Sequence, residues 1–518
     1  MTGSNSFWFA NPGQNFYNGV ISQSLRLSVG SDYKLDRQMV TPTSVTGTIC
    51  TASWWMKKLA HGTVQSYVTG RDNQASGEYC AYWSYGTNGS SISGTDNHSM
   101  RSGGAETILA GTTTTVPYRD SGGWYHVVIR FDSTQSTAAD RIRIYKNGVQ
   151  QNDTFNGTTY PSQNAVETYW NNAGEHLILF GNGEDSGDSF DGYIAEFNWV
   201  DGLSLAPESF GESKNGVWIP KKYTGAYGLN GSRYTFADSS DIGKDTSGVG
   251  NDLDRVSNLA ASDVVPDSPE NNFCTLNPLY YLTASTHLSE GGLQLTHEST
   301  AHRANAGTMF SKTGKWYFEV RNKTDTAGSS VALGVGLQDT SKNLAYSTGD
   351  NNYIYYCNNN SPLTSLNTTT NSLGSFVAGA GDIMQVAYDA DSGKLFIGKN
   401  NTYVAADSGT DGNPATGANP TATLSTTIDY IPFVGTYNNE ATANFGQDDT
   451  FAGAISSAGN TDGNGRGVFK YAPPSGFLAL CSANLPEPTI SPNADTQADD
   501  HFNTHIYSGN NNATRTFD

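Results

Sequence analysis

Positive charge is scarce in this chain: its 518 residues hold 29 Lys and Arg against 49 Asp and Glu, a formal net charge of −20. Neutralising a phosphate backbone takes a basic face, so this balance argues against a nucleic-acid binder. Charge of either sign is sparse, at 15% of residues, while aromatics reach 11% and are spread along the length. That is not the composition of a charged, disordered chain. No apolar run approaches the roughly 18 residues of a membrane-spanning helix. The opening Met1-Thr-Gly-Ser-Asn-Ser has no basic stretch leading into an apolar one, so it does not read as a secretory signal. Cysteine is rare, with Cys50, Cys80, Cys274, Cys357 and Cys481 widely scattered and no CxxC pair. A zinc site or a disulfide framework is therefore disfavoured, and the five read as reduced, buried small hydrophobes.

Helical periodicity is also nearly missing, with a single turn expected within Leu203 to Phe210. What is present is a long series of strand signals. They include 48–57, 124–132, 141–146, 176–180, 193–200, 315–321, 331–337, 383–389, 394–397, 430–435 and 477–480. Several alternate, as in Arg141-Ile-Arg-Ile-Tyr, where Ile142 and Ile144 share a face. Others are unbroken apolar runs, which predicts cover on both faces. Asn147-Gly148, Asp191-Gly192 and Asp391-Ser-Gly393 supply turns between them. Trp54 and Trp55 take opposite faces of one strand, one inward and one covered by a loop or a neighbouring subunit. The fold class that follows is all-β, with two consecutive antiparallel β-sandwiches. Composition places the first sandwich at 1–235, a linker at 236–274, the second sandwich at 275–484 and an extended C-terminal connector at 485–518.

The first of these stretches resembles a laminin-G-like, concanavalin A-like jelly roll. The resemblance is carried by Ile21-Ser-Gln-Ser-Leu-Arg-Leu, Thr51-Ala-Ser-Trp-Trp-Met-Lys-Lys and Trp124-Tyr-His-Val-Val-Ile-Arg-Phe-Asp. Most specific is Phe190-Asp-Gly-Tyr-Ile-Ala-Glu-Phe-Asn-Trp-Val-Asp-Gly, followed by Leu205-Ala-Pro-Glu-Ser-Phe-Gly. The second resembles a SPRY domain through Gly314-Lys-Trp-Tyr-Phe-Glu-Val, Val331-Ala-Leu-Gly-Val-Gly-Leu and Asp382-Ile-Met-Gln-Val-Ala-Tyr-Asp. The hairpin Asp391 to Asn400, Tyr430-Ile-Pro-Phe-Val-Gly and Ala443-Asn-Phe-Gly-Gln complete it in order. In combination these segments are similar to virion proteins of tailed bacteriophages. The resemblance implies a tail-fibre, capsid-fibre or similar appendage, located on the virion and made in the host cytoplasm. It also implies other virion proteins as partners and a homo-oligomer such as a trimer.

A search for chemistry leaves no catalytic constellation. Concanavalin-like glucanases bring carboxylates about 5–9 Å apart from alternating positions of one strand, and no such acidic alternation occurs. Glu184, Asp185, Asp188 and Asp191 cluster in a Gly/Ser-rich loop. They read as a solvated acidic turn whose oxygens would suit calcium, the one cofactor the sequence suggests. His297 and His302 stand five apart, which misses a shared helical face. Asn460-x-Asp462-x-Asn464-Gly465 opens like a calcium loop but has Tyr471 where a bidentate Glu is required, so it reads as a Gly-rich turn.

Binding is the better expectation. Tyr82, Trp83 and Tyr85 stand together, as do Tyr169 with Trp170, and Tyr353, Tyr355 and Tyr356, all beside Asn, Ser or Asp. Aromatic faces stack on sugar rings, amides bind hydroxyls, and the same residues dominate protein interfaces. The sequence thus leads to a non-enzymatic adhesion component that meets host-surface glycan or protein. A purely architectural virion protein and a glycan depolymerase are the alternatives. Attachment to the particle is expected through a sandwich face or the C-terminal segment.

Overall fold

A computed structural model describes residues 16–28, 33–43, 47–59, 65–71, 81–85, 98–101, 109–110, 118, 120–151, 160–166, 171, 173–181, 190–255, 258–279, 287–297, 303–323, 330–337, 353–358, 363–366, 369–373 and 376–486. Among these the only helical segments are single 3₁₀ turns, one of them Pro207–Ser209 within the connection expected to turn. The rest is strand and loop, and the fold is all-β.

Sheet 1 runs in the order Val149–Gln150, Ile142–Lys146, Trp124–Asp132, Ile49–Lys58, Gly192–Asp201, Ser24–Leu27 and Val264–Val265, with Ser232–Tyr234 also paired to Gly192–Asp201. Sheet 2 lies across the first core, ordered Asp254–Arg255, Leu35–Gln38, His176–Leu179, Gln65–Arg71, Ala81–Tyr85, His98–Arg101 and Leu109–Ala110. Sheet 3 runs His287–Ser289, Gln294–His297, Asn439–Asn444, Lys315–Asn322, Ile383–Asp389, Lys394–Lys399 and Thr402–Val404. Sheet 4 runs Arg303–Ala306, Tyr430–Tyr437, Ser330–Leu337, Tyr353–Asn358, Leu363–Leu366 and Thr369–Ser372. Ladder pairings are antiparallel except for Leu478–Ala479, which joins Lys315–Asn322 in parallel.

The period of two in the sequence accounts for both cores. Tyr125, Val127, Ile129 and Phe131 enter the first core with Ile142 and Ile144, and Trp54 joins them, stacked on Phe197 at 6.0 Å. The intervening residues would face water in a simple sandwich. Here they are covered: Trp55, Trp124 and Tyr193 form a second apolar cluster with Ile21 and Val265. Sheet 3 repeats the arrangement. Trp316, Phe318 and Val320 face the second core, while Tyr317 packs on the reverse with Phe396, Phe469 and Phe477. Phe469, Phe477, Ala479 and Cys481 lie over that reverse face, so sheets 1 and 3 are both twice-covered, matching their near-continuous apolar runs. The Asn147-Gly148 turn has positive φ at both residues (48° and 77°), the type I′ geometry that suits a two-residue hairpin. Gly192 opens a strand rather than making a turn. Its φ is 139°, and a Cβ there would stand 2.1 Å from the Lys57 carbonyl oxygen.

Of the stretch 236–274, read from composition as a linker, residues 236–265 pack into the first sandwich, while Phe273 and Cys274 pack in the second. Phe236, Ile242, Leu253 and Leu259 enter its core. Asp254–Arg255 and Val264–Val265 add edge strands to sheets 2 and 1. These apolar residues are spaced too widely to give a strand signal, yet Phe236, Ile242, Leu253 and Leu259 each fill a place in the core.

A buried polar seam then joins the two sandwiches. Arg26 lies between Leu25 and Leu27 and takes the opposite face, with its side chain 1% exposed. It meets Asp263 at 3.0 Å, Glu290 at 3.5 Å and the carboxylate of Asp448. Asp263 belongs to the connecting segment, whereas Glu290 and Asp448 belong to the second sandwich. Burial opposes the charge on Arg26, but the carboxylates of Asp448, Glu290 and Asp263 outweigh it and hold the guanidinium firmly protonated. Nearby, Lys57 Nζ donates to Asp267, to Asn272 and to the Phe273 carbonyl. The Glu290 amide donates to Ser28 Oγ, and Gly291 comes so close to Tyr193 that a Cβ would lie 2.6 Å from its ring.

Truncating Arg26 leaves three carboxylates facing one another without their cation, and breaking a buried pair in this way costs about 3–5 kcal/mol. Arg26→Ala is expected to lower the unfolding free energy measured by chemical denaturation by that amount. Arg141→Ala, on the half-exposed edge of the first sandwich, is expected to change it far less.

Candidate functional site

Two of the aromatic clusters singled out for binding fall on strands of sheets 2 and 4. Tyr82, Trp83 and Tyr85 lie on Ala81–Tyr85 of sheet 2, where Trp83 pairs with Val68 on one side and Met100 on the other. Tyr353, Tyr355 and Tyr356 lie on Tyr353–Asn358 of sheet 4, paired with Val335, Leu333 and Ala332 and with Leu366, Thr364 and Leu363. Both strands are internal to their sheets. The fold therefore places the two sets in different sandwiches rather than in one site. Tyr169 and Trp170 lie outside the described residues.

Of the four acidic residues read as a calcium-suited loop, Glu184, Asp185 and Asp188 also lie outside the described residues. Asp191 is described, and it is not part of an open loop. It is 3% exposed at the start of Gly192–Asp201. Burial and the neighbouring Glu290 push its carboxyl up to about 8 against the pull of Lys58. Among the described residues no group of three or more His, Cys, Asp or Glu is arranged to hold a metal. Asp462 is a turn-former: its two oxygens accept the amides of Asn464, Arg466 and Ala479 and the Asn484 side chain. Cys50, Cys274 and Cys481 are buried, and burial pushes Cys274 up to about 11 and Cys481 up to about 12.

Sequence reading missed a serine–histidine pair. Ser53 Oγ and His126 Nε2 stand 2.8 Å apart on adjacent strands of sheet 1, at neighbouring register positions. Trp218 Nε1 reaches His126 Nδ1 at 2.9 Å. An indole nitrogen only donates, so Nδ1 is the acceptor and the ring proton of neutral His126 sits on Nε2. The imidazole thus donates to Ser53 and has no lone pair with which to take the serine proton, the reverse of a nucleophile–base pair. The ring is also closed in, stacked on Trp55 at 4.8 Å and on Trp218 at 5.9 Å. The pair pins the hairpin Gly211–Lys214 and Val217–Pro220 onto the sheet.

Glu319 has a comparable role on sheet 3. Its oxygens accept from Tyr317 Oη (2.9 Å), Asn444 Nδ2 (3.3 Å) and the amides of Lys470 (2.9 Å) and Tyr471 (2.8 Å). Burial pushes its carboxyl up to about 7 while these donors oppose the rise. The carboxylate anchors the segment that covers the reverse of sheet 3. An open recess of about 420 Å³, lined by Asp238, Asp241, Lys244 and Phe236, lies on the connecting segment.

Burial lowers the His126 pKa from 6.5 to about 3. The unfolded chain takes up this proton near 6.5 and the folded one only near 3, so acidification through that window favours unfolding. Stability should fall by about 1.4 kcal/mol per pH unit there on account of this residue. His126→Gln is expected to make the pH dependence shallower by that slope, as measured by urea denaturation between pH 6 and pH 4.

The SPRY-domain family model matches residues 315–448, from the first residue of Lys315–Asn322 to the seam carboxylate Asp448. Among solved structures, the SPRY domain of human HERC1 is similar at 14% identity, covering 30% of this chain and 91% of that one, with a TM-score of 0.23. A heptameric SAP-like pentraxin from Limulus polyphemus is 14% identical over 36% of this chain and 76% of its own, with a TM-score of 0.26. The TRIM65 PSpry domain is 16% identical over 33% and 92%, with a TM-score of 0.25. No curated protein matches the chain. The stretch that the SPRY-domain model matches, residues 315–448, lies within the second sandwich.

Proposed function

We propose that this chain is a non-enzymatic structural and adhesion component of a bacteriophage particle, with a laminin-G-like sandwich and a SPRY domain presented for contact with host-surface glycan or protein. The SPRY match over 315–448 carries the reading, because SPRY domains are protein-interaction modules. The phage assignment rests on the sequence resemblance of both halves. The geometry is compatible with holding rather than reacting: the one described serine–histidine pair is buried and has its ring proton directed at the serine. The aromatic strands Ala81–Tyr85 and Tyr353–Asn358 lie in sheets 2 and 4, leaving the twice-covered sheets 1 and 3 to carry the connection. Several copies on one particle would turn weak contacts into avidity.

An architectural reading has its own support. Val40, Leu229 and Val249 are 52%, 56% and 41% exposed. They stand on loops that Asn230 and Asn251 tie together through the Val40 amide and carbonyl and the Leu229 carbonyl. Aliphatic side chains held out on braced loops suit contact with another virion protein.

The full chain is expected to bind host cells and to give discrete signals on a glycan array, with Trp83→Ala or Tyr355→Ala reducing them at least several-fold. Silence in both assays would remove adhesion. Leu229→Asp reducing incorporation into particles without affecting cell binding would establish the architectural role.

A further inference from the structure

The seam contains a lysine, an asparagine and an aspartate in an arrangement that an ion pair alone does not require. Lys57 Nζ lies 2.8 Å from Asn272 Oδ1 and 2.8 Å from Asp267 Oδ2. The Lys57 side chain is 1% exposed, that of Asp267 is 0% exposed, and Asn272 is buried. With a C=O length of about 1.23 Å, the Asn272 carboxamide carbon is within about 4 Å of the amine, close to the 3–3.5 Å of a near-attack arrangement. Each remaining polar atom has a holding contact. Asn272 Nδ2 donates to the Gly122 carbonyl at 2.6 Å, and Asp267 Oδ1 accepts from Trp124 Nε1 at 3.2 Å and the Phe273 amide at 3.3 Å. That leaves Asp267 Oδ2 for the lysine. The apolar cluster of Trp55, Trp124 and Tyr193 excludes water from the group, with Nζ 5.3 Å from the Tyr193 ring centre.

We propose that Lys57 and Asn272 condense into an intramolecular isopeptide bond, with Asp267 as proton carrier, so that the first sandwich becomes covalently joined to the segment entering the second. In a dry site an ammonium and a carboxylate gain by exchanging a proton and becoming neutral. Burial raises the Asp267 carboxyl, against the opposing pull of Lys57, and so favours its protonated form. The neutral amine then attacks the carboxamide carbon. A C–N bond forms to Lys57, and the bond from that carbon to Asn272 Nδ2 breaks. The nitrogen leaves as ammonium, carrying the two protons that Lys57 loses, one of them by way of Asp267. The aspartate ends as a carboxylate and the link is a secondary amide. No electron is transferred and no cofactor is consumed. Holding amine and amide in place supplies the large effective concentration that such a condensation needs. Arg26, in the neighbouring carboxylate cluster, cannot react in this way because a guanidinium stays protonated.

The test is the mass of the purified full chain under denaturing conditions. It is expected to fall short of the sequence mass by one ammonia, with a branched peptide after proteolysis in which Lys57 is joined to Asn272. Lys57→Met, Asn272→Ala and Asp267→Ala should each restore the full mass. The wild-type measurement stands by itself even where a variant fails to fold. A wild-type chain of full mass, or an ammonia loss that persists in Lys57→Met or maps to Asn147-Gly148, would overturn the proposal.

Discussion

A strand that is covered on both faces has nowhere to send its polar side chains, and that constraint organises the interior of this protein. In Ser24–Leu27, two leucines fill the first core, so Arg26 must emerge on a face that the second sandwich and the connecting segment then close. Its charge is tolerable there only because Asp263, Glu290 and Asp448 arrive from three separate parts of the chain. Lys57 is in the same position two strands across the sheet, beyond Gly192–Asp201. The seam is thus the answer to charges that sheet 1 would otherwise strand, and it makes the two sandwiches depend on each other.

The same constraint explains the other buried polar groups. Glu319 sits on the covered face of sheet 3 and is satisfied by four donors, two of them backbone amides of the segment lying over it. His126 is closed between two tryptophans, held neutral by burial, and accepts from Trp218 at Nδ1. Asp201 accepts from Asn171 and from the amides of Thr43 and Asn230, drawing together the loops at one end of the first sandwich. Buried polar groups of this kind specify how covering segments lie, because an unpaired one is costly. Loops, hairpin and connecting segment are therefore fixed against the sheets by direction-dependent bonds as well as by apolar contact.

For function, the consequence is a division of labour between faces. Sheets 1 and 3 are used up by internal cover and by the seam. The strands bearing Tyr82, Trp83 and Tyr85, and Tyr353, Tyr355 and Tyr356, belong to the other two sheets.

The all-β class, the strands and their turns could be read from the residues, because a period of two and Asn-Gly or Asp-Ser-Gly punctuation are local properties. Trp124–Asp132 and Ile383–Asp389 were legible to the residue. The SPRY motifs from Gly314 to Gln447 lie along the stretch that the family model matches. What covers a second face is not local. The residues meeting Arg26 stand 237, 264 and 422 positions away, by their numbers 263, 290 and 448. No spacing rule connects them, so the seam, the Ser53–His126–Trp218 contact and the packing of 236–274 were settled only by folding. Asp191 shows the difference most directly. Its neighbours in sequence suggest an acidic, solvated loop, while its neighbours in space are the core of a sandwich and a glutamate brought from the next one. Sequence alone determined which residues alternate and where the chain turns; tertiary structure decided which charges would be buried together, because only closure of the second face brings them within reach.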